Sequence, residues 1–159
     1  MANKTDGERQ LVVFELAGEV YGVDIRGVRE IIRMQDITRV PDAPRFIQGI
    51  INLRGKVIPV IDLRMRFGLQ ATERTQDTRI LVVDAGSNDM GITVDAVREV
   101  LRISESCVEA ASAAVTAGRT TYLEGIAKLS DRLVILLDLD RVLSDEEHNA
   151  VTAVEAAAA

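Results

Sequence analysis

The sequence predicts a mainly β protein made of two tandem five-stranded barrels packed together, with short helical turns and a C-terminal helix. Three observations carry that expectation. The chain repeats itself, each copy alternates short apolar β-rich runs with turn residues, and 47 % of its 159 residues are apolar. A chain of that size and composition can bury a full core within one domain.

The repeat comes first, because it organises everything else. LVVFELAGEVYGVDIRGVREIIRM (11–34) aligns without a gap on ILVVDAGSNDMGITVDAVREVLRI (80–103) at an offset of 69. Val13/Val82, Gly22/Gly91, Val28/Val97, Arg29/Arg98, Glu30/Glu99 and Arg33/Arg102 are identical. FIQGIINLRGKVIPVIDL (46–63) then aligns on YLEGIAKLSDRLVILLDL (122–139) at an offset of 76, with Gly49/Gly125 and Asp62/Asp138 among the identities. The second copy therefore holds seven extra residues near 104–120, where SESCVEAASAAVTAGR is rich in small side chains.

Each copy opens with a hairpin. The runs 11–16 and 20–25 are joined by Gly18, and 79–84 and 90–95 by Gly86-Ser87-Asn88. Apolar residues then recur at i, i+3 and i+4, as Val28, Ile31, Ile32 and as Val97, Val100, Leu101. That spacing predicts one or two helical turns with Arg29, Glu30 and Arg33 facing outward; an extended strand competes, since β-branched residues dominate. Two strands around a tight turn follow, at 49–53/57–61 and 125–129/133–137, and helical turns at 62–66 and 138–143 close each unit. About five strands in some 60 residues suits a small barrel, which removes sheet edges. The expected division is a first barrel half at 10–68, a polar link at 69–78, a second half at 79–143 and a tail helix at 144–159, with a capping box at Ser144 and Glu147.

Composition excludes several classes. The formal charge is −6, which disfavours a partner held by phosphate neutralisation. The charge is uneven: residues 1–68 carry 11 basic against 9 acidic side chains, and 69–159 carry 8 against 16. Aromatics make up 3 % and no basic stripe runs among them, so a nucleic-acid-binding double barrel is the weaker reading. The polar start MANKTDGERQ has no signal core, no apolar run approaches a membrane span, and a lone cysteine, Cys107, fits a reducing cytoplasm.

No catalytic set is visible. His148 stands alone in a polar helix start, Cys107 lies beside Glu105 and Glu109, which disfavour a thiolate, and Asp138 and Asp140 open a helical turn where negative charge suits the dipole. No metal or cofactor is expected. The product of such a fold is surface. In the first copy the hairpin tip reads Asn52-Leu53-Arg54-Gly55, and in the second Lys128-Leu129-Ser130-Asp131. The fold does not require an arginine there, and Arg54 can reach a carboxylate such as Glu30 for a bidentate pair.

The runs VYGVDIRGVREII, ITRVPDAPRFIQGIINLRGKVIPVIDLRMRFG, MGITVDAVREVL and GIAKLSDRLVILLDLDRVLS resemble the CheW family of chemotaxis coupling proteins, in one register from about residue 10 to 145. The resemblance implies two SH3-like barrels and a non-enzymatic adaptor between the histidine kinase CheA, through its regulatory domain, and the cytoplasmic tips of methyl-accepting chemoreceptors. A coupling protein of a non-motility chemosensory pathway is the alternative within that class. It implies a cytoplasmic protein recruited to receptor arrays at the inner membrane, with no nucleic-acid partner and no direct membrane insertion. Carried over by position, the receptor groove would use Val12, Ile25, Val28, Glu30, Ile31, Arg54, Gly55 and Val57, with Val97 and Val100 as a second wall. The kinase contact would lie around Val40 and Gly49. Many family members have a proline-rich acidic loop where this chain has Val108-Glu109-Ala110-Ala111-Ser112-Ala113-Ala114, so weaker ring contacts are expected here.

Overall fold

The computed structural model describes residues 7–70, 72–84, 89–110, 122–143 and 145–158. The first half of the chain forms β1 (Glu8–Leu16), β2 (Glu19–Asp24), a 3-10 turn (Ile25–Gly27), β3 (Val28–Arg33), β4 (Ile47–Leu53), β5 (Lys56–Asp62) and helix α1 (Leu63–Arg66). The second half repeats the strand order, with β9 added and the 3-10 turn displaced, as β6 (Arg79–Asp84), β7 (Asp89–Val94), β8 (Ala96–Ser104), a 3-10 turn (Glu105–Cys107), β9 (Val108–Ala110), β10 (Leu123–Lys128) and β11 (Leu133–Leu137). Helix α2 (Asp145–Ala158) ends the chain.

Two expectations need correction. Val28, Ile31 and Ile32 lie on strand β3, and Val97, Val100 and Leu101 on strand β8, not on helical turns. The cause is a β-bulge at the same place in both copies. Val28 faces Val83 and Glu30 faces Val82, leaving Arg29 as the extra residue; Val97 faces Phe14 and Glu99 faces Val13, leaving Arg98. One inserted residue advances the two-residue alternation by one, so Val28 and Ile31 share a face at spacing i, i+3 and imitate a helix. Residues 138–143 form turns, held by Asp138 accepting from the Asp140 and Arg141 N–H groups, whereas α1 is helical and capped by the Asp62 carboxylate. The turn at 86–88, the loop at 111–114 and the Ser144 cap lie outside the described residues.

The second correction concerns what each half builds. One sheet has the order β9-β10-β11-β2-β1-β8 and the other β3-β6-β7-β5-β4. Neither sheet belongs to one half: each copy sends its first hairpin into the sheet built by the other copy's remaining strands. The exchange is symmetrical. β1 pairs antiparallel with β8 as β6 pairs with β3, and β2 runs parallel to β11 as β7 runs parallel to β5. Five strands of the six-stranded sheet thus have their repeat equivalents at the same places in the five-stranded one, and β9 is matched there only by the single Thr38–Ile50 bridge.

That exchange explains the burial. Leu11, Val13, Ile103, Val134 and Leu136 fill one barrel, and Ile51, Ile58, Val60, Ile80 and Val82 fill the other. The alternate residues of the same strands, Val12, Phe14 and Leu16 with Leu81, Val83, Met90 and Ile92, meet in a third core between the sheets. Strands β1 and β6 are buried on both faces, which is why they read as unbroken apolar runs. Val151 and Val154 of α2 close this central core, and Arg66 pairs with Glu147 at 3.2 Å. Phe14, Tyr21, Phe67 and Tyr122 form a chain of ring contacts, the last pair stacked at 4.6 Å.

Two glycines of the repeat mark where each barrel closes. A Cβ on Gly49 would lie 2.3 Å from the Thr38 carbonyl oxygen, and one on Gly125 would lie 2.4 Å from that of Glu109. The chain after β3 crosses β4 there, through Thr38 and Ile50 hydrogen bonds of 2.9 and 2.8 Å. β9 crosses β10 in the same way.

Candidate functional site

The β4–β5 hairpin ends in a two-residue turn at Arg54-Gly55, with φ of +53° and +86°. Turns with both central residues at positive φ match the twist of the flanking strands, and they favour Asn followed by Gly. Asn52 stabilises this one by accepting from the Gly55 N–H at 2.8 Å. Arginine therefore occupies a left-handed position that disfavours any residue with a Cβ other than Asn or Asp. Its guanidinium reaches across the barrel mouth to β3. Both Nη atoms of Arg54 donate to the Glu30 carboxylate, the Nη1 to Oε1 bond being 3.3 Å. The Glu30 hydrogen bond raises the Arg54 guanidinium above its ordinary value, so Arg54 stays cationic. The β3 bulge is what turns Glu30 to this side.

Neighbouring charges brace that corner. Arg29, the bulged residue, bonds Asp89 at 2.6 Å and Asp84 at 3.3 Å, and Lys56 meets Asp89 at 3.4 Å. The second copy builds a variant of the same device. Arg98 pairs with Glu15, as Arg29 pairs with the equivalent Asp84. Glu99, the equivalent of Glu30, receives Arg132 Nη2 at 2.5 Å. Arg132 aligns with Lys56, so the arginine has moved two residues along the hairpin while the acid has stayed. Arg132 is a functional candidate that the sequence did not disclose, because a residue-by-residue alignment finds Ser130 opposite Arg54.

The other expected site residues divide by exposure. Ile31 and Val100, equivalent in the repeat, are 40 % and 51 % exposed, unusual for large apolar side chains. Val28, Val97 and Ile25 are half-buried and lean on the central core, Val57 is half-buried on β5, and Gly55 is exposed at the turn. Val12 needs correcting: at 1 % exposure it faces the central core from β1 and offers no surface. So does Gly49, which is buried beneath Thr38 and serves barrel closure. Val40 is half-buried in the loop after β3, flanked by exposed Arg39, Pro41 and Asp42.

A cleft of about 420 Å³ is lined by Asp62, Arg64, Asp95, Gln48 and Thr93 among others, and these five are already engaged with one another or with backbone. Asp62 caps α1, Thr93 donates to Gln48 at 2.8 Å, and Asp95 is held by Arg64 at 2.6 and 3.1 Å and by the Ala17 N–H at 2.8 Å. Burial pushes the Asp95 carboxyl up, yet the Arg64 and Ala17 hydrogen bonds outweigh it and hold the group below the ordinary carboxylate range. Among the described residues no group of three His, Cys, Asp or Glu could hold a metal ion.

Comparison with known proteins supplies the context for this surface. The model of the CheW-like domain matches residues 10–147. Chemotaxis protein CheW of Klebsiella aerogenes is 37 % identical over 147 residues, covering 92 % of this chain and 88 % of that protein. Chemotaxis protein CheW of Bacillus subtilis is 37 % identical over 140 residues, covering 88 % and 89 %. The crystal structure of scaffolding protein TtCheW from Thermoanaerobacter tengcongensis superposes with a TM-score of 0.80 at 43 % identity, covering 87 % of this chain and 96 % of that one.

Proposed function

The chain belongs to the CheW family of chemotaxis scaffold proteins, which are not enzymes, and from that premise we propose that it couples a CheA-type histidine kinase to the cytoplasmic tips of chemoreceptors. The observation that carries the reading is the Arg54–Glu30 pair. The turn would be better served by asparagine, yet it holds an arginine at a disfavoured φ and aims it across the barrel mouth. Ile31, exposed on the same strand as Glu30, supplies the apolar half of a contact. A receptor helix would lay its apolar stripe on Ile31 and Val100, over the half-buried Val28 and Val97, with Arg54 orienting it through charge-assisted bonds.

The kinase regulatory domain would engage the loop around Val40, where Arg39, Pro41 and Asp42 stand exposed; Gly49 would act only by holding that loop against β4. In this role the protein works in the cytoplasm and joins arrays by binding receptors. No helix among the described residues is long and apolar enough to cross a membrane. Calorimetric titration with a kinase regulatory domain and with a receptor-tip fragment, parent beside Arg54→Glu, tests the reading. Binding of both by the parent, with receptor binding alone lost in the variant, is the expected result. A parent that binds neither overturns it.

A further inference from the structure

The repeat holds one more identity that neither the fold nor the Arg54 site uses. Arg33 on β3 and Arg102 on β8 occupy the same place in the two copies, and both are exposed. Among the described residues neither has a carboxylate partner, whereas Arg29 and Arg98 on the same strands are both paired. Fold stability does not ask for them. Arg33 stands directly opposite Arg79 across the β3–β6 pairing, and like charges in that position are destabilising.

Their placement relative to the exposed apolar residues is the informative part. Beyond the bulge the strands alternate regularly, with Ile31 facing Leu81 and Arg33 facing Arg79, and with Val100 facing Val12 and Arg102 facing Gln10. Ile31 and Arg33 therefore share one face of the edge strand β3, as do Val100 and Arg102 of β8; it is the face that packs the central core further in, but all four side chains are exposed. Each strand presents an apolar residue followed, about 7 Å further along, by an unpaired guanidinium. On a helix, a residue one turn from an apolar contact position lies about 5–6 Å along the axis on the same face. A helix with carboxylates one turn from its apolar anchors would match both rows, with Ile31 or Val100 under the anchor and Arg33 or Arg102 on the acid.

We propose that Arg33 and Arg102 are paired electrostatic clamps for a helical partner whose apolar stripe is flanked by acidic residues. This rests on the receptor-helix reading of the Ile31 and Val100 surface and deepens it by giving the partner's chemistry. Both arginines sit at the rim of the contact, so they act mainly on encounter and on selection among helices, and their effect is screened by salt.

The test is titration of the full chain with a soluble receptor-tip fragment at about 50 and 500 mM salt. The parent is compared with Arg33→Gln, Arg102→Gln, Arg33→Glu/Arg102→Glu and Ile31→Ser, and each variant is melted. The expected result at low salt is weakening of about two- to fivefold for each single Gln variant and about tenfold or more for the double reversal. At high salt the two Gln variants should approach the parent, while Ile31→Ser stays weak at both. Arg33→Gln should melt no lower than the parent, since it relieves the facing charge on Arg79. If Ile31→Ser loses binding and the arginine variants match the parent at both salts, the clamps are refuted and the receptor surface stands. If Ile31→Ser also binds normally, or the parent does not bind, the surface reading fails and takes the clamps with it. Self-association of the parent that the double reversal abolishes would assign the rows to a second copy of the chain and overturn the helical partner.

Discussion

At the scale of single residues, Arg54 and Asp95 separate a proposed contact from a stabilising one. Arg54 occupies a conformation that asparagine adopts more readily, and its ion pair with Glu30 is solvent-exposed and worth little to the fold. Arg54→Asn should therefore melt no lower than the parent while losing receptor binding, read by thermal unfolding beside calorimetry. A clear drop in melting temperature would make the arginine a structural residue. Asp95 is the reverse case, a partly buried carboxylate that joins the β1–β2 turn to α1 through the Ala17 N–H and Arg64. Its pKa is depressed, so it favours the folded state above the unfolded carboxyl value near 3.9, and that contribution is lost as pH falls through the lower folded value. Asp95→Asn should destabilise by about 1–2 kcal/mol at pH 7 and by less towards pH 3, flattening the acid limb of stability against pH. Denaturant melts at pH 3, 4, 5 and 7 check this; parallel limbs for parent and variant would count against it. The Arg54–Glu30 contact was legible in the sequence because both residues lie in one copy. Asp95 with Arg64 was not, because they pair across the two halves.

At the scale of elements, the bulge and the crossing glycines decide the shape of each barrel. The i, i+3, i+4 spacing at 28–32 and 97–101 reads as helix only because a bulge shifts the alternation, and nothing local marks the bulge except the duplicated Arg29 and Arg98. Gly49 and Gly125 were legible as repeat identities, but their reason is tertiary: the closing segment passes so near that no Cβ fits. A methyl group on Gly49 meets backbone at 2.3 Å, and backbone cannot rotate away as a side chain can. Gly49→Ala should cost about 3 kcal/mol or more and expose the Thr38 and Ile50 amides to hydrogen exchange. Gly55→Ala is the control. Nothing lies within 4 Å of that position and only its φ of +86° opposes a side chain, so the loss should be about 1–2 kcal/mol, with the Thr38 and Ile50 amides still protected. Equal protection in both variants would mean that the crossing at Gly49 does not close the barrel.

At the scale of the molecule, the repeat was legible and the way its copies combine was not, for a reason of symmetry. Both halves carry the same alternation and share the glycine pairs Gly22/Gly91 and Gly49/Gly125, so pairing within a half and pairing between halves satisfy the same local pattern. Only the register decides, and it sets Leu11 beside Leu101 and Ile32 beside Ile80. The consequence is that a barrel cannot be detached. A fragment of residues 1–74 would hold β1 and β2 without β8 and β11, and β3, β4 and β5 without β6 and β7. It would also expose the faces of Val12, Phe14 and Leu16 that the central core buries. Closing such long loops before the pairing rewards them also slows folding. We expect fragments 1–74 and 75–159 each to lack a cooperative melt and dispersed amide resonances, and an equimolar mixture to regain both. A native-like spectrum from either fragment alone would show that a half can fold without exchanging its hairpin, and would return the two barrels to consecutive stretches of chain. Restoration only on mixing would also explain why strands β3 and β8, which carry the proposed receptor surface, hold a fixed relation. Each is the neighbour of a strand, β6 or β1, that the other copy contributes to its sheet and that the central core clamps, so the two exposed rows are tied together by the same exchange that makes the fold.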